Sequence, residues 1–197
     1  MRLGRIEVTP GFLLLAAWLN YGDDQNILLP ALASCTLHEL GHLWALNLLG
    51  APVERIRITA AGAEMRVGEG LSYRGELFAA LMGPCVNLLL AAALCRVPGG
   101  AMLAGMNLVL GCFNLLPVGG LDGGRVLRCL ASLALGWRWG ERLHLWFSVC
   151  SCLVVCGVSL RLAGRGGNLT LTVVAVWLFF SMLRDCEKRL VNRQRNR

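Results

Sequence analysis

The sequence is poor in charge: 16% of its 197 residues are Asp, Glu, Lys or Arg, whereas 56% are hydrophobic. A soluble domain of this size is nearer half apolar and about a quarter charged. The shortage of charge therefore argues against an ordinary soluble domain and favours a membrane protein. We predict one integral-membrane domain over residues 1–197, with its core at 27–127 and a basic cytoplasmic tail at 184–197.

Lysine and paired cysteine motifs are also scarce. Lys188 is the single lysine beside 18 arginines, and the net charge is +7. A basic chain can bind nucleic acid, but the distribution of its arginines favours membrane orientation instead, so we expect no nucleic-acid partner. None of the nine cysteines forms a CxxC motif, and most lie in apolar runs, which suits small core residues in a reducing or lipid setting. The N-terminal residues lack a signal-peptide cleavage pattern.

Long apolar runs are what the sequence has instead. A transmembrane helix needs about 20 apolar residues, and the runs predict an all-α bundle of about six spans. They cover residues 8–21, 27–49, 76–95, 101–118, 143–160 and 169–183. Alternate sides of this arrangement carry 16 and three Lys or Arg residues, which predicts that both termini are cytoplasmic.

Two connections between the runs have structure of their own. Residues 55–67 alternate apolar and polar side chains around Gly62, which predicts a small β-hairpin. Residues 123–136 place Arg125 and Arg128 one turn apart on an apolar background, which indicates an interfacial helix.

The second apolar run contains the segment "LHELGHL". His38 and His42 are four residues apart and so share one helical face, and Glu39 follows His38. In this H-E-x-x-H arrangement both imidazoles bind one zinc ion and the glutamate activates water. The alternative is a pair of buried, hydrogen-bonded histidines without a metal. The third histidine, His144, has no acidic or histidine neighbour at helical spacing, and we interpret it as an interfacial side chain.

A catalytic zinc ion takes three protein ligands and keeps one position open. Asp122 is our candidate for the third ligand, because it lies in "NLLPVGGLDGG", directly after the fourth run. Irregular backbone of this kind is tolerated at membrane depth only where protein or a water-filled cavity covers it. The alternative is that Asp122 caps the helix that follows. The charge count places both motifs toward the cytoplasmic side.

Three segments, "HELGH", "GPCVN" (83–87) and "NLLPVGGLDGG" (114–124), resemble the signatures of the site-2 protease family of intramembrane zinc metalloproteases. The resemblance implies that His38, His42 and Asp122 hold one zinc ion per chain. It implies that Glu39 is the general base for water attack on a peptide carbonyl.

The resemblance further implies that Asn87 and Asn114 orient the substrate backbone or stabilise the oxyanion; hydrogen bonding between helices is the alternative. It implies a membrane-tethered protein substrate, a multi-pass location in a bacterial inner or mother-cell membrane, and a regulatory membrane protein as a further partner. The compact plan resembles the sporulation-type branch, which releases a sigma-factor precursor. A metal transporter and a catalytically silent relative are the rival hypotheses.

Overall fold

The structure, a computed structural model, describes residues 5–59, 62–68, 71–164 and 170–195. Helices dominate and the strands form one small sheet, as predicted. The elements are β1 (Arg5–Val8), α1 (Pro10–Tyr21), α2 (Leu28–Leu48), β2 (Val53–Thr59), β3 (Gly62–Val67), α3 (Tyr73–Leu94), α4 (Ala101–Asn114), α5 (Asp122–Leu135), α6 (Trp137–Ala163) and α7 (Thr170–Arg195). The chain divides into two compact units, Met1–Phe113 and Asn114–Arg197.

Side chains fix where α2 and α3 begin. The Asp23 carboxylate accepts the backbone N–H groups of Ile27 at 2.7 Å and Leu28 at 2.8 Å. Ser72 is the N-cap of α3, and its hydroxyl accepts the N–H of Gly75 at 3.2 Å. Both contacts satisfy N–H groups that have no partner inside the helix.

The contact between α2 and α3 depends on small side chains. The buried face of α3 repeats every four residues: Gly75, Ala79, Gly83, Asn87 and Ala91. This spacing lets two helix backbones approach closely. On the α2 side, a Cβ atom on Gly41 would lie 2.8 Å from the carbonyl oxygen of Met82. A larger residue at position 41 would therefore force the helices apart.

The sheet contains the predicted hairpin and one further strand. β2 and β3 pair antiparallel, and β1 pairs parallel with the outer edge of β2, which gives the order β1-β2-β3. The predicted first span, 8–21, is wrong at its start. Val8 ends β1 in register with Ile58, and the helix begins at Pro10, a residue suited to the first turn.

The second unit contains α5, α6 and α7. The helix predicted at 123–136 is present as α5, shifted by one residue; its interfacial location stays a prediction. Helix α6 begins at Trp137, six residues before the predicted fifth span. Its first turns carry arginine side chains over tryptophan rings, Arg138 over Trp137 at 5.6 Å and Arg142 over Trp139 at 5.7 Å. Both are cation–π contacts between the guanidinium groups and the indole rings.

Among the described residues, two helices are long and apolar enough to cross a membrane: Tyr73–Leu94 and Trp137–Leu162. The prediction of about six spans is therefore not confirmed. Helix α1 has 12 residues and α4 has 14, fewer than the roughly 20 that a span needs. Helix α2 has 21 residues but contains the polar H-E-x-x-H segment, which lowers its mean hydropathy.

Each unit places polar side chains inside and large apolar side chains outside. The buried polar residues include Ser34, His38, Asn87, Asn107, His144 and Ser148. The exposed apolar residues include Leu29, Trp44, Leu89, Val109 and Leu153. Water would favour the reverse distribution, whereas polar side chains facing the interior of a helix bundle are typical of proteins within lipid.

Candidate metal centre

The two motif histidines lie on the buried face of α2, as the four-residue spacing predicts. His38 and His42 are 5% and 8% exposed, and their Nε2 atoms are 3.1 Å apart. The rings meet edge to face, with their planes at 83°. Glu39 is half-buried on the adjoining position of the same helix.

The other nitrogen of each ring is oriented by α3. His42 Nδ1 lies 2.7 Å from the carbonyl oxygen of Ala79. A carbonyl oxygen can only accept, so Nδ1 of His42 carries the proton. His38 Nδ1 contacts the side-chain oxygen of Asn87.

A buried network decides which end of the Asn87 amide faces His38. Asn87 Nδ2 donates to Asn107 Oδ1 at 2.8 Å and to the Ser34 carbonyl oxygen at 3.3 Å. Asn107 Nδ2 in turn donates to Leu103 O at 2.9 Å and to Ser34 Oγ at 3.0 Å, which leaves Asn107 Oδ1 as an acceptor. The Asn87 oxygen must therefore accept from His38 Nδ1.

With both Nδ1 atoms engaged by α3, the two Nε2 atoms, 3.1 Å apart, are the ring positions left to bind a cation. Two nitrogens bound to one tetrahedral zinc ion are about 3.3 Å apart. The donor set and its spacing therefore fit zinc.

Gly83 keeps the space in front of the two nitrogens open. A Cβ atom at position 83 would overlap Nε2 of His42 and would lie 2.8 Å from Nε2 of His38. The glycine of the "GPCVN" segment is therefore required where α3 passes the histidine pair, and any side chain there would occupy the space that a metal ion needs.

Of the remaining predicted residues, Asn87 lies in the first unit, whereas Asn114 and Asp122 lie in the second. Asn87 is fully buried, and Asn114 is half-buried at the end of α4. Asp122 is 7% exposed and is the first residue of α5. The N-cap position belongs to Leu121, which makes no side-chain cap, so the N-cap alternative for Asp122 is wrong. The described residues offer three buried candidate metal ligands: His38, His42 and Asp122.

The interpretation of His144 as an interfacial side chain is wrong. His144 is 1% exposed, and its two ring nitrogens contact Gly124 O at 2.9 Å and Asp185 Oδ2 at 3.0 Å. Sequence reasoning also missed Ser34, Asn107 and Asp185. A polar residue inside an apolar run is the signal that could have identified the first two.

Comparisons with known proteins agree with this fold. The family model described as peptidase family M50 matches residues 100–155. A zinc metalloprotease of Methanocaldococcus jannaschii is 32% identical over 171 residues, which are 80% of this chain and 48% of the relative. Stage IV sporulation protein FB of Bacillus subtilis is 29% identical over 161 residues, which are 77% of this chain and 56% of the relative.

The solved site-2 protease from Methanocaldococcus jannaschii has the same fold. It superposes with a TM-score of 0.72 over 94% of this chain and 92% of its own, at 23% identity. The chain spans about half the length of the curated relatives it matches.

The matched family model and the named relatives place the chain in the class of zinc metalloproteases. The chain belongs to the site-2 protease family, peptidase family M50. Members of this family are integral membrane proteins.

Proposed function

We propose that this chain is an intramembrane zinc metalloendopeptidase that cuts a transmembrane or membrane-tethered protein near the cytoplasmic face. The observation that carries the proposal is the histidine pair, because the Nε2 atoms of His38 and His42 lie 3.1 Å apart, a spacing that fits two ligands of one zinc ion. Glu39 lies beside them on α2, in the position that the H-E-x-x-H pattern gives to the general base. The family relationship supports the same reaction.

His38, His42 and Asp122 would hold the zinc ion. When bound, zinc supplies Lewis acidity toward the scissile carbonyl and makes water a nucleophile near neutral pH. Glu39 accepts a proton from the attacking water, which is the role of a carboxylate general base within reach of the nucleophile. Two imidazoles and one carboxylate leave a coordination position open, as catalytic zinc sites require.

We assign Asn87 a positioning role. Its amide oxygen holds the protonated Nδ1 of His38, and its amide nitrogen donates to α2 and α4. A side chain with 0% exposure and these contacts acts through the histidine, without touching the substrate. Asn114 is half-buried, and we keep it as the group that orients the substrate backbone or the oxyanion.

A substrate helix must become extended before its carbonyls can be attacked, because helical hydrogen bonds shield them. Strand β3 pairs with β2 along one edge, and no described strand occupies its other edge. We propose that an extended substrate segment adds to this edge. We propose as the substrate a membrane-tethered sigma-factor precursor, which the resemblance to the sporulation-type branch implies; the similarity to stage IV sporulation protein FB supports a role in sporulation.

The decisive experiment is cleavage of a membrane-tethered reporter by co-expressed or detergent-solubilised protein. Wild type is compared with Glu39→Gln, and zinc is quantified in both. We expect one zinc ion per chain in each protein and cleavage by wild type alone. Glu39→Gln removes the base while keeping the size and hydrogen-bonding capacity of the side chain, so the metal ligands stay in place.

Other results would support the rival functions. If neither protein cuts a panel of tethered substrates and both hold zinc, a silent zinc-binding protein becomes the better description. If wild type and Glu39→Gln both carry zinc across the bilayer of proteoliposomes, the chain is a transporter. Equal cleavage by both proteins would remove Glu39 from the mechanism.

A further inference from the structure

The second unit contains a buried polar cluster that binds the backbone just before α5. Ser148 on α6 accepts the N–H of Gly119 at 2.9 Å, and its hydroxyl lies 3.4 Å from the carbonyl oxygen of Pro117. From α7, Ser181 donates to the carbonyl oxygen of Gly119 at 3.4 Å. Helices α6 and α7, both far along the chain from this segment, thus contact the same peptide groups, those of Pro117 and Gly119.

His144 extends this cluster to the first turn of α5. Its Nδ1 lies 2.9 Å from Gly124 O, and its Nε2 lies 3.0 Å from Asp185 Oδ2 on α7. His144, which is 1% exposed, therefore links the first turn of α5 to α7 through both of its ring nitrogens.

The backbone of this segment needs such support from outside. Gly120 has φ of +94°, and a Cβ atom there would overlap Ser181 Oγ. Leu121, the N-cap of α5, makes no side-chain cap. The start of α5 is therefore fixed by α6 and α7 and receives no help from its own cap.

We propose that His144, Ser148, Ser181 and Asp185, here called the loop clamp, are positioning residues for Asp122. They fix the backbone from residue 117 to residue 124, and Asp122 lies inside this segment. The inference rests on the proposed function, in which Asp122 is a zinc ligand. A ligand must be held within about 0.5 Å of its productive position, and a glycine-rich segment cannot achieve this alone.

Two serines of α6 provide a matched test. Ser148→Ala removes a contact to the segment, whereas Ser159→Ala removes a hydrogen bond of 2.9 Å to Thr172 on α7 that does not touch it. Both serines are buried, at 0% and 2% exposure. We expect Ser148→Ala to weaken zinc binding about 10-fold or more, as lost support of a metal ligand does, and Ser159→Ala to bind zinc as wild type does.

Substitutions of Asp185 separate positioning from simple folding. In Asp185→Asn, a neutral His144 can donate to Gly124 O and accept from the new amide, so both contacts survive. Asp185→Leu leaves His144 Nε2 without that partner. We expect Asp185→Asn to stay within about threefold of wild type in zinc affinity and Asp185→Leu to lose about 10- to 100-fold.

The readouts are zinc affinity by chelator competition, the visible absorption of the Co²⁺-loaded protein, and thermal unfolding of the metal-free protein. Altered Co²⁺ bands in Ser148→Ala and Asp185→Leu, with wild-type bands in Ser159→Ala and Asp185→Asn, support the proposal. Wild-type affinity and bands in all four variants overturn it. A wild-type protein that binds neither metal would instead refute the proposed function.

Discussion

Gly83 and the two histidines show how much depends on a single missing side chain. The close approach of α3 to His38 and His42 leaves no room for a Cβ atom, and the same absence leaves room for a metal ion. A helix position that would ordinarily favour alanine by about 1 kcal/mol is thus restricted to glycine by its site. Glycine at position 83 makes the helix less stable than alanine would, but a larger residue would fill the space beside the histidines.

We predict that Gly83→Ala abolishes zinc binding, with affinity reduced at least about 100-fold, because the new methyl group overlaps His42 Nε2. The measurement is zinc content and chelator competition on purified protein. Gly105→Ala on α4 is the control, since nothing lies within 4 Å of a Cβ atom there. The idea fails if Gly83→Ala still holds one tightly bound zinc ion.

At the scale of elements, α2, α3 and α4 are joined by one hydrogen-bonded network. Asn107 on α4 donates to Ser34 Oγ on α2 and accepts from Asn87 on α3, and Asn87 in turn orients His38. The orientation of the Asn107 amide fixes that of the Asn87 amide. The Asn87 oxygen in turn sets the tautomer of His38, a candidate metal ligand. Helix packing and metal binding therefore depend on the same side chains.

We predict that Asn107→Ala weakens zinc binding about 10-fold and lowers the free energy of unfolding by about 1–3 kcal/mol, because buried partners lose their hydrogen bonds. Chelator competition and denaturant titration measure the two effects. Asn20→Ala, at an exposed position of α1, is the matched control and should change neither. Loss of stability with unchanged zinc affinity would contradict the relay from Asn107 to His38.

Periodic patterns in the sequence predicted some features of the structure, whereas contacts between residues far apart in sequence could not be predicted. The four-residue separation of His38 and His42 and the alternation of 55–67 are periodic signals, and both are present in the structure. The contact of His144 with Asp185 spans 41 residues, and no pattern near either residue announces it. Strand β1 has four residues and pairs with β2 from a distance, so no local pattern predicts it, and only Val8, its last residue, falls in the predicted first run.

At the scale of the whole molecule, the distribution of side chains carries the argument for lipid. Leu153 is 67% exposed near the middle of the apolar stretch of α6, while Ser148 on the same helix is fully buried. In water this helix would expose its apolar side and bury its polar side. In lipid the same arrangement is the stable one, because the solvent is as apolar as leucine.

We predict that Leu153→Arg impairs membrane insertion by about 2.5–3.5 kcal/mol, the cost of arginine at the centre of a spanning helix. Fractionation and yield of the folded, membrane-extracted protein measure the effect. Leu162→Arg, at the end of α6 beside Arg161 and 43% exposed, is the control, because an arginine there can extend its charge to the interface. In a soluble protein, arginine at either exposed position would be tolerated. Equal yields of both variants would therefore refute the placement of α6 in lipid, whereas selective loss of Leu153→Arg would establish it and support the membrane-embedded site that the proposed protease requires.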